Sequence, residues 1–317
     1  MKQGKSRFDC QLNKIETLRI QAVKQENPAE WLFLNDMRTP MFMLEALSKM
    51  YANWHNKKIF EKLNEIFKTL EDTLGAIDYY AAFEKEFADN SEIPTAVKSF
   101  LTERKKEQIE KLYRLLKEDG WFSGKRVRKI NEKLAEVDWL NEADEHELLK
   151  IFYQKEIKKI VKFTLKTQFI FDNVEEDVHE LRRRLRWLSI YPQAMQGAIK
   201  LAPLDPLSKH LKKYLTPDIV NSPYNKFPTS DTQSLFLILD ESYFYALSWM
   251  IKELGKIKDQ GLKINVLQEA FAKDESPLET AYKILGDDYP RIETLLESAS
   301  RIVKQYFEED NLNHIIV

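Results

Sequence analysis

A chain of 317 residues, 43% of them hydrophobic and 32% charged, can bury a substantial core, and its length suits two domains or one domain of two similar halves. A formal net charge of −2 excludes a global positive field that would gather nucleic acid, so any anion site has to be local. The single cysteine, Cys10, excludes an internal disulfide and an all-cysteine metal cage, and no catalytic motif surrounds it.

Glycine is scarce, at 8 residues, while Leu, Lys and Glu abound, a composition that favours helices because these side chains lose little rotamer freedom there. The opening Met1-Lys2-Gln3-Gly4-Lys5 is not followed by an apolar signal core, and no run of 18 apolar residues occurs. The chain therefore reads as cytoplasmic, without a membrane span. Residues 1–24 read as an N-terminal extension.

A first bundle half is expected over 25–140. It holds an apolar stretch from Thr39 to Leu47, then Ile59, Leu63, Ile66, Phe67 and Leu70 at helical steps. Leu74-Gly75 reads either as a glycine stop to that helix or as a point of close helix packing, with a new helix from Tyr79 to Phe87. A long helix follows from Thr95 to about Gly120, carrying Ile109, Leu112, Leu115 and Leu116 inward, and a shorter one spans Val127 to Leu134.

A second half is expected over 141–260, opening with a helix from His146 to Thr167 whose outer face is rich in lysine. Between Leu201 and Thr232 stand five of the chain's 11 prolines, which predicts an irregular connection with a short helix at Pro206–Tyr214. Helices resume at Gln233–Leu254, Asn265–Lys273, Pro277–Leu285 and Pro290–Glu308, those over 261–317 forming extra C-terminal helices. No stretch carries a sustained period of two, so no strand is expected. The fold class is all-α.

A faint repeat links the halves. Leu34-Asn35-Asp36-Met37-Arg38 opens a helix and is followed later by Leu74-Gly75-Ala76-Ile77-Asp78; Val178-His179-Glu180-Leu181-Arg182 opens another and is followed by Leu254-Gly255-Lys256-Ile257-Lys258-Asp259. In the second of these helices, capped by Asp172-Asn173, the residues His179, Arg182, Arg183 and Arg186 fall within a wedge of roughly 100°. Val178, Leu181, Leu185 and Leu188 occupy a separate apolar face. Guanidinium forks and an imidazole on one face suit a phosphate-rich anion. A solvated face with ion pairs Glu175–His179 and Glu180–Arg184, at the four-residue spacing, suits the same residues.

These motifs resemble the CHAD domain, the "conserved histidine α-helical domain". His179, Arg182 and the following Arg183, Arg184 and Arg186 match the second-half motif. Leu34 to Arg38 looks like the first-half motif with asparagine in the histidine place, and the two Leu-Gly segments resemble the element that comes later in each half. Thr102 to Leu116 is similar to the family's mid-chain basic helix. The resemblance covers roughly residues 25–260. It implies two helical bundles related by a pseudo-twofold axis, and non-enzymatic binding of polyphosphate in a basic cavity by His179, Arg182, Arg183, Arg186 and Arg38. The chain departs from the family where Phe42, Met43 and Glu45 stand at expected basic positions of the first half. The alternative is a helical interaction or scaffold protein with a degenerate anion site.

His55, His146, His210 and His314 are scattered without partners at metal-ligand spacing, and no nucleophile elbow, phosphate loop or dinucleotide fingerprint occurs, so neither cofactor nor enzyme chemistry is expected. The basic run Gly124 to Lys129 beside Trp121 and Phe122 reads as a solvated helix start rather than a nucleic-acid contact. No sequence feature fixes an oligomeric state.

Overall fold

The computed structural model describes residues 2–203 and 208–317, which form two compact units, 1–141 and 142–317. Helices dominate both, and the all-α class holds. No helix among the described residues is long and apolar enough to cross a membrane.

The first unit runs α1 (Gly4–Ala22), α2 (Pro28–Leu34), α3 (Arg38–Tyr51), α4 (Lys57–Phe87), α5 (Thr95–Glu118) and α6 (Lys125–Ala135). α3 packs against α4 and α4 against α5, burying Leu44, Leu47, Leu63, Phe67, Leu74 and Leu112. α1, set apart by sequence as an extension, supplies fully buried Phe8 and Ile15 to this core. Phe8, Tyr51, Phe60 and Trp139 form an aromatic cluster at centroid distances of 5.2–5.9 Å, all pairs edge-on or tilted except Tyr51–Phe60, which is stacked. Of the two readings of Leu74-Gly75, a stop and a point of close packing, the stop does not occur. α4 passes through Gly75 unbroken, so this glycine marks close packing, and Tyr79 to Phe87 belongs to the same helix.

The second unit runs α7 (Glu142–Lys166), a π-helical turn (Val174–His179), α8 (Glu180–Ala194), β1 (Ile199–Ala202), α9 (Pro217–Val220), β2 (Leu237–Asp240), α10 (Glu241–Ala270), α11 (Pro277–Leu285) and α12 (Ile292–Glu308). α10 is its spine, packing against α8, α11 and α12. Leu254-Gly255 lies inside it, and the separate helix expected at Asn265–Lys273 is its continuation. Of the short helix expected at Pro206–Tyr214, a 3₁₀ turn covers Lys209–Lys213, while 206–207 fall outside the described residues.

Two strands were not foreseen. β1 and β2 pair in parallel, Ile199 beside Leu237, and Ile316 bridges Leu239 in antiparallel sense. Each strand has four residues, too few to register an alternation, and they flank the proline-rich segment that masks them. Asp240 then caps α10, its carboxylate accepting from the Tyr243 backbone N–H at 2.9 Å.

Candidate functional site

In the second unit the site begins with a helix cap. Asn173 is extended, and its side-chain oxygen accepts from the backbone N–H groups of Glu175 at 2.8 Å and Glu176 at 3.0 Å. The carboxylate of Asp177 reaches back to the N–H groups of Asp172 and Asn173, both at 2.9 Å. The turn that follows is π-helical, a form that inserts an extra residue per turn and shifts the side chains after it. Val174 is seated against Gly261 of α10, where a Cβ would stand 2.7 Å from its Cγ1. Val178, Leu181, Leu185 and Leu188 are fully buried, so the expected apolar face is the inward one.

The polar wedge is occupied from within. The His179 Nδ1 lies 2.7 Å from the Glu175 carboxylate, and that hydrogen bond, helped by the charges of Lys258 and Arg183, holds the carboxyl below its ordinary range against the opposing effect of burial. Glu180 binds two arginines at once: Arg183 at 2.6 Å and Arg184 at 2.6 Å. Arg184 also lies over the Phe163 ring, 4.5 Å from its centroid. Arg182 turns inward, donating from Nε to the Ile251 carbonyl of α10 at 3.2 Å, and its guanidinium crosses Gly255, with Nε 3.1 Å from where a Cβ would stand. Burial lowers its pKa, and Asp259 opposes that shift. Arg186 is half-buried and likewise engaged. Both ion pairs legible at the four-residue spacing, Glu175–His179 and Glu180–Arg184, are present.

Arg38 belongs to the first unit. A turn with Asp36 in the left-handed region (φ 59°) separates α2 from α3, and Asp36 accepts from the Thr39 hydroxyl at 2.7 Å. Asn35, in the motif's histidine place, donates back to the Trp31 carbonyl at 2.8 Å. Arg38 forks onto two acids of α4: Glu71 at 2.8 Å and Asp78 at 2.6 Å. Burial pushes the Glu71 carboxyl up, and the Arg38 charge pulls it back. Between these acids lies Gly75, where a Cβ would meet the Arg38 Nη2 at 2.7 Å.

The two units thus carry the same contact. An arginine from the head of one helix crosses a later, long helix at a glycine, with an acid three or four residues beyond it: Asp78 after Gly75, Asp259 after Gly255. The recurring Leu-Gly pairs were visible in the sequence, but their role as guanidinium seats was not. Glu71, the buried acid beneath Arg38, was missed because nothing local links residues 33 apart.

Elsewhere, beside the basic run at Gly124 to Lys129, Trp121 is buried in the core, which removes it as a base-stacking platform, and Phe122 makes a tilted contact with Tyr113 at 5.5 Å. Among the described residues no group of three His, Cys, Asp or Glu is placed to hold a metal. No protein-family profile, curated protein or solved structure matches the chain.

Proposed function

We propose that this protein is a non-enzymatic helical interaction protein, in which the arginines at the heads of α3 and α8 brace their own units. One observation carries the reading: His179, Arg183 and Arg38 each meet an internal carboxylate within 2.8 Å, while Arg182 is turned onto a backbone carbonyl. A phosphate chain would have to displace Glu175 and Glu180 in one unit, or Glu71 and Asp78 in the other, from guanidinium forks and an imidazole that they already fill. The matching Arg–Gly contacts favour a duplicated bundle whose basic motif has passed from ligand to framework.

Polyphosphate binding, which the CHAD resemblance implies, is the competing proposal, and a titration separates the two. Wild-type protein and the double variant Arg182→Ala/Arg186→Ala are titrated with long-chain polyphosphate at low and moderate salt. The framework reading expects no saturable binding at moderate salt and a lowered melting temperature in the variant. Tight binding that survives moderate salt and vanishes in the variant overturns it and restores the anion site.

A further inference from the structure

The second unit contains a cleft of about 330 Å³ between α7 and the last residues of the chain. Its apolar lining is Ile157, Ile316 and Val317, and its polar rim is Lys150, Gln154, Lys158 and Asn313. Three independent features meet there.

The first is charge. Neither Lys150 nor Lys158 has an ion-pair partner among the described residues. Lys158 continues into a ridge with Lys159, Lys162 and Lys166, all exposed and within a wedge of roughly 100° on α7. The one acid along this stretch, Glu156, pairs with Lys159 at 2.6 Å. A chain of nearly balanced charge therefore has a locally unbalanced face.

The second is an open strand edge. The Ile315 carbonyl accepts from the Asp240 N–H at 2.8 Å, and the Val317 N–H donates to the Ile238 carbonyl at 3.2 Å. The peptide groups between them alternate in direction, so the N–H and C=O of Ile316 face away from β2. They have no hydrogen-bond partner among the described residues, and Ile316 itself lines the cleft. The third is the apolar lining, which gives an aliphatic side chain somewhere to bury.

We infer that this cleft docks an extended acidic segment of a partner protein, which adds its backbone to the Ile316 edge and sets carboxylates against Lys150 and Lys158. The inference supplies a partner for the interaction reading above and rests on it. The spacing fits: eight residues of α-helix separate the lysines by about 12 Å, and two side chains four residues apart on one face of a strand are separated by about 13 Å. Single-stranded nucleic acid would need stacking platforms, and no aromatic side chain lines the cleft. Inorganic polyphosphate would satisfy the lysines but make no use of the strand edge or the apolar lining.

The test uses the full chain and a fluorescently labelled, end-blocked peptide, Val-Glu-Val-Thr-Val-Glu-Val, with two controls: the same peptide with glutamine for glutamate, and one N-methylated along one edge so that it cannot pair as a strand. Fluorescence polarisation is expected to show the glutamate peptide binding at least about tenfold more tightly than either control. Lys150→Glu/Lys158→Glu is expected to lose that advantage while keeping the wild-type melting temperature. Absence of binding, equal binding of the glutamine or N-methylated peptide, or indifference to the lysine variant overturns the proposal. So does inorganic polyphosphate or an anionic phosphatidylglycerol vesicle binding in a lysine-dependent way while the peptide does not. The Arg182→Ala/Arg186→Ala titration reads α8 alone, so failure of the framework reading leaves a different signature.

Discussion

Arg182 crosses α10 at Gly255 with its Nε 3.1 Å from where a Cβ would stand, whereas Arg38 approaches the same point at Gly75 to 2.7 Å. The tighter seat is also the one with two acids holding the guanidinium in place. Gly75→Ala is therefore expected to destabilise the protein by about 1–2 kcal/mol, overriding the gain of up to about 1 kcal/mol that alanine brings to a helix interior. At Gly255 the neighbour has a few tenths of an ångström less to yield, and Gly255→Ala is expected to lie within about 0.5 kcal/mol of neutral. Urea unfolding of both variants ranks the two seats, and an equal or inverted ranking removes the account of Gly75.

Removing the guanidinium tests the acid beneath it. Arg38→Ala leaves Glu71, only 9% of whose side chain is exposed, as an uncompensated buried carboxylate, and a loss of about 2–4 kcal/mol at neutral pH is expected. The sign of the pH effect follows from the direction of the Glu71 shift. Its folded pKa lies above the ordinary carboxylate value, so its contribution favours folding at low pH and is lost as pH rises through the folded pKa. Without Arg38 that pKa climbs further, and the deficit of Arg38→Ala is expected to shrink on acidification. Glu71→Gln in the same background is expected to recover most of the loss at neutral pH. Denaturation curves at several pH values decide it: a deficit that grows towards acid contradicts the assignment.

The π-helical turn depends on its cap. Asn173→Ala removes the acceptor for two backbone N–H groups and is expected to cost about 1 kcal/mol, with faster amide exchange confined to Val174–His179. Glu175 behaves differently, because its folded pKa is depressed: it stabilises above its unfolded pKa, and that contribution is lost as pH falls through the folded one. Its side chain is 56% exposed, so solvent screening keeps the effect of Glu175→Gln below about 1 kcal/mol at neutral pH. The variant's stability is expected to fall less than wild type on acidification. Amide exchange and acid titration of the two variants separate the cap from the ion pair.

The bodies of the helices were legible because leucines and isoleucines recur at steps of three and four, and the burial of Val178, Leu181, Leu185 and Leu188 follows directly from that spacing. Glycine misled where it sits mid-helix. Gly75 and Gly255 look like punctuation until the arginine that each accommodates is brought alongside from 37 or 73 residues away. The same distance hid the chemistry of the basic wedge. Its local acids, Glu175 and Glu180, could be paired by counting along one helix, but the carbonyl that receives Arg182 and the acid that receives Arg38 belong to elements the sequence does not juxtapose. β1 and β2 escaped notice for want of length, and the tail residue Ile316 gained meaning only once a strand was found beside it.

The parallel pairing of β1 with β2 has a kinetic corollary. Parallel neighbours cannot be joined by a tight turn, and here the entire proline-rich segment separates them. Closing so long a loop costs chain entropy before any ladder bond repays it, whereas α7, α8 and α10 each form from contacts close in sequence. The small sheet, together with the tail that joins its edge, is therefore expected to form after the helices of the second unit.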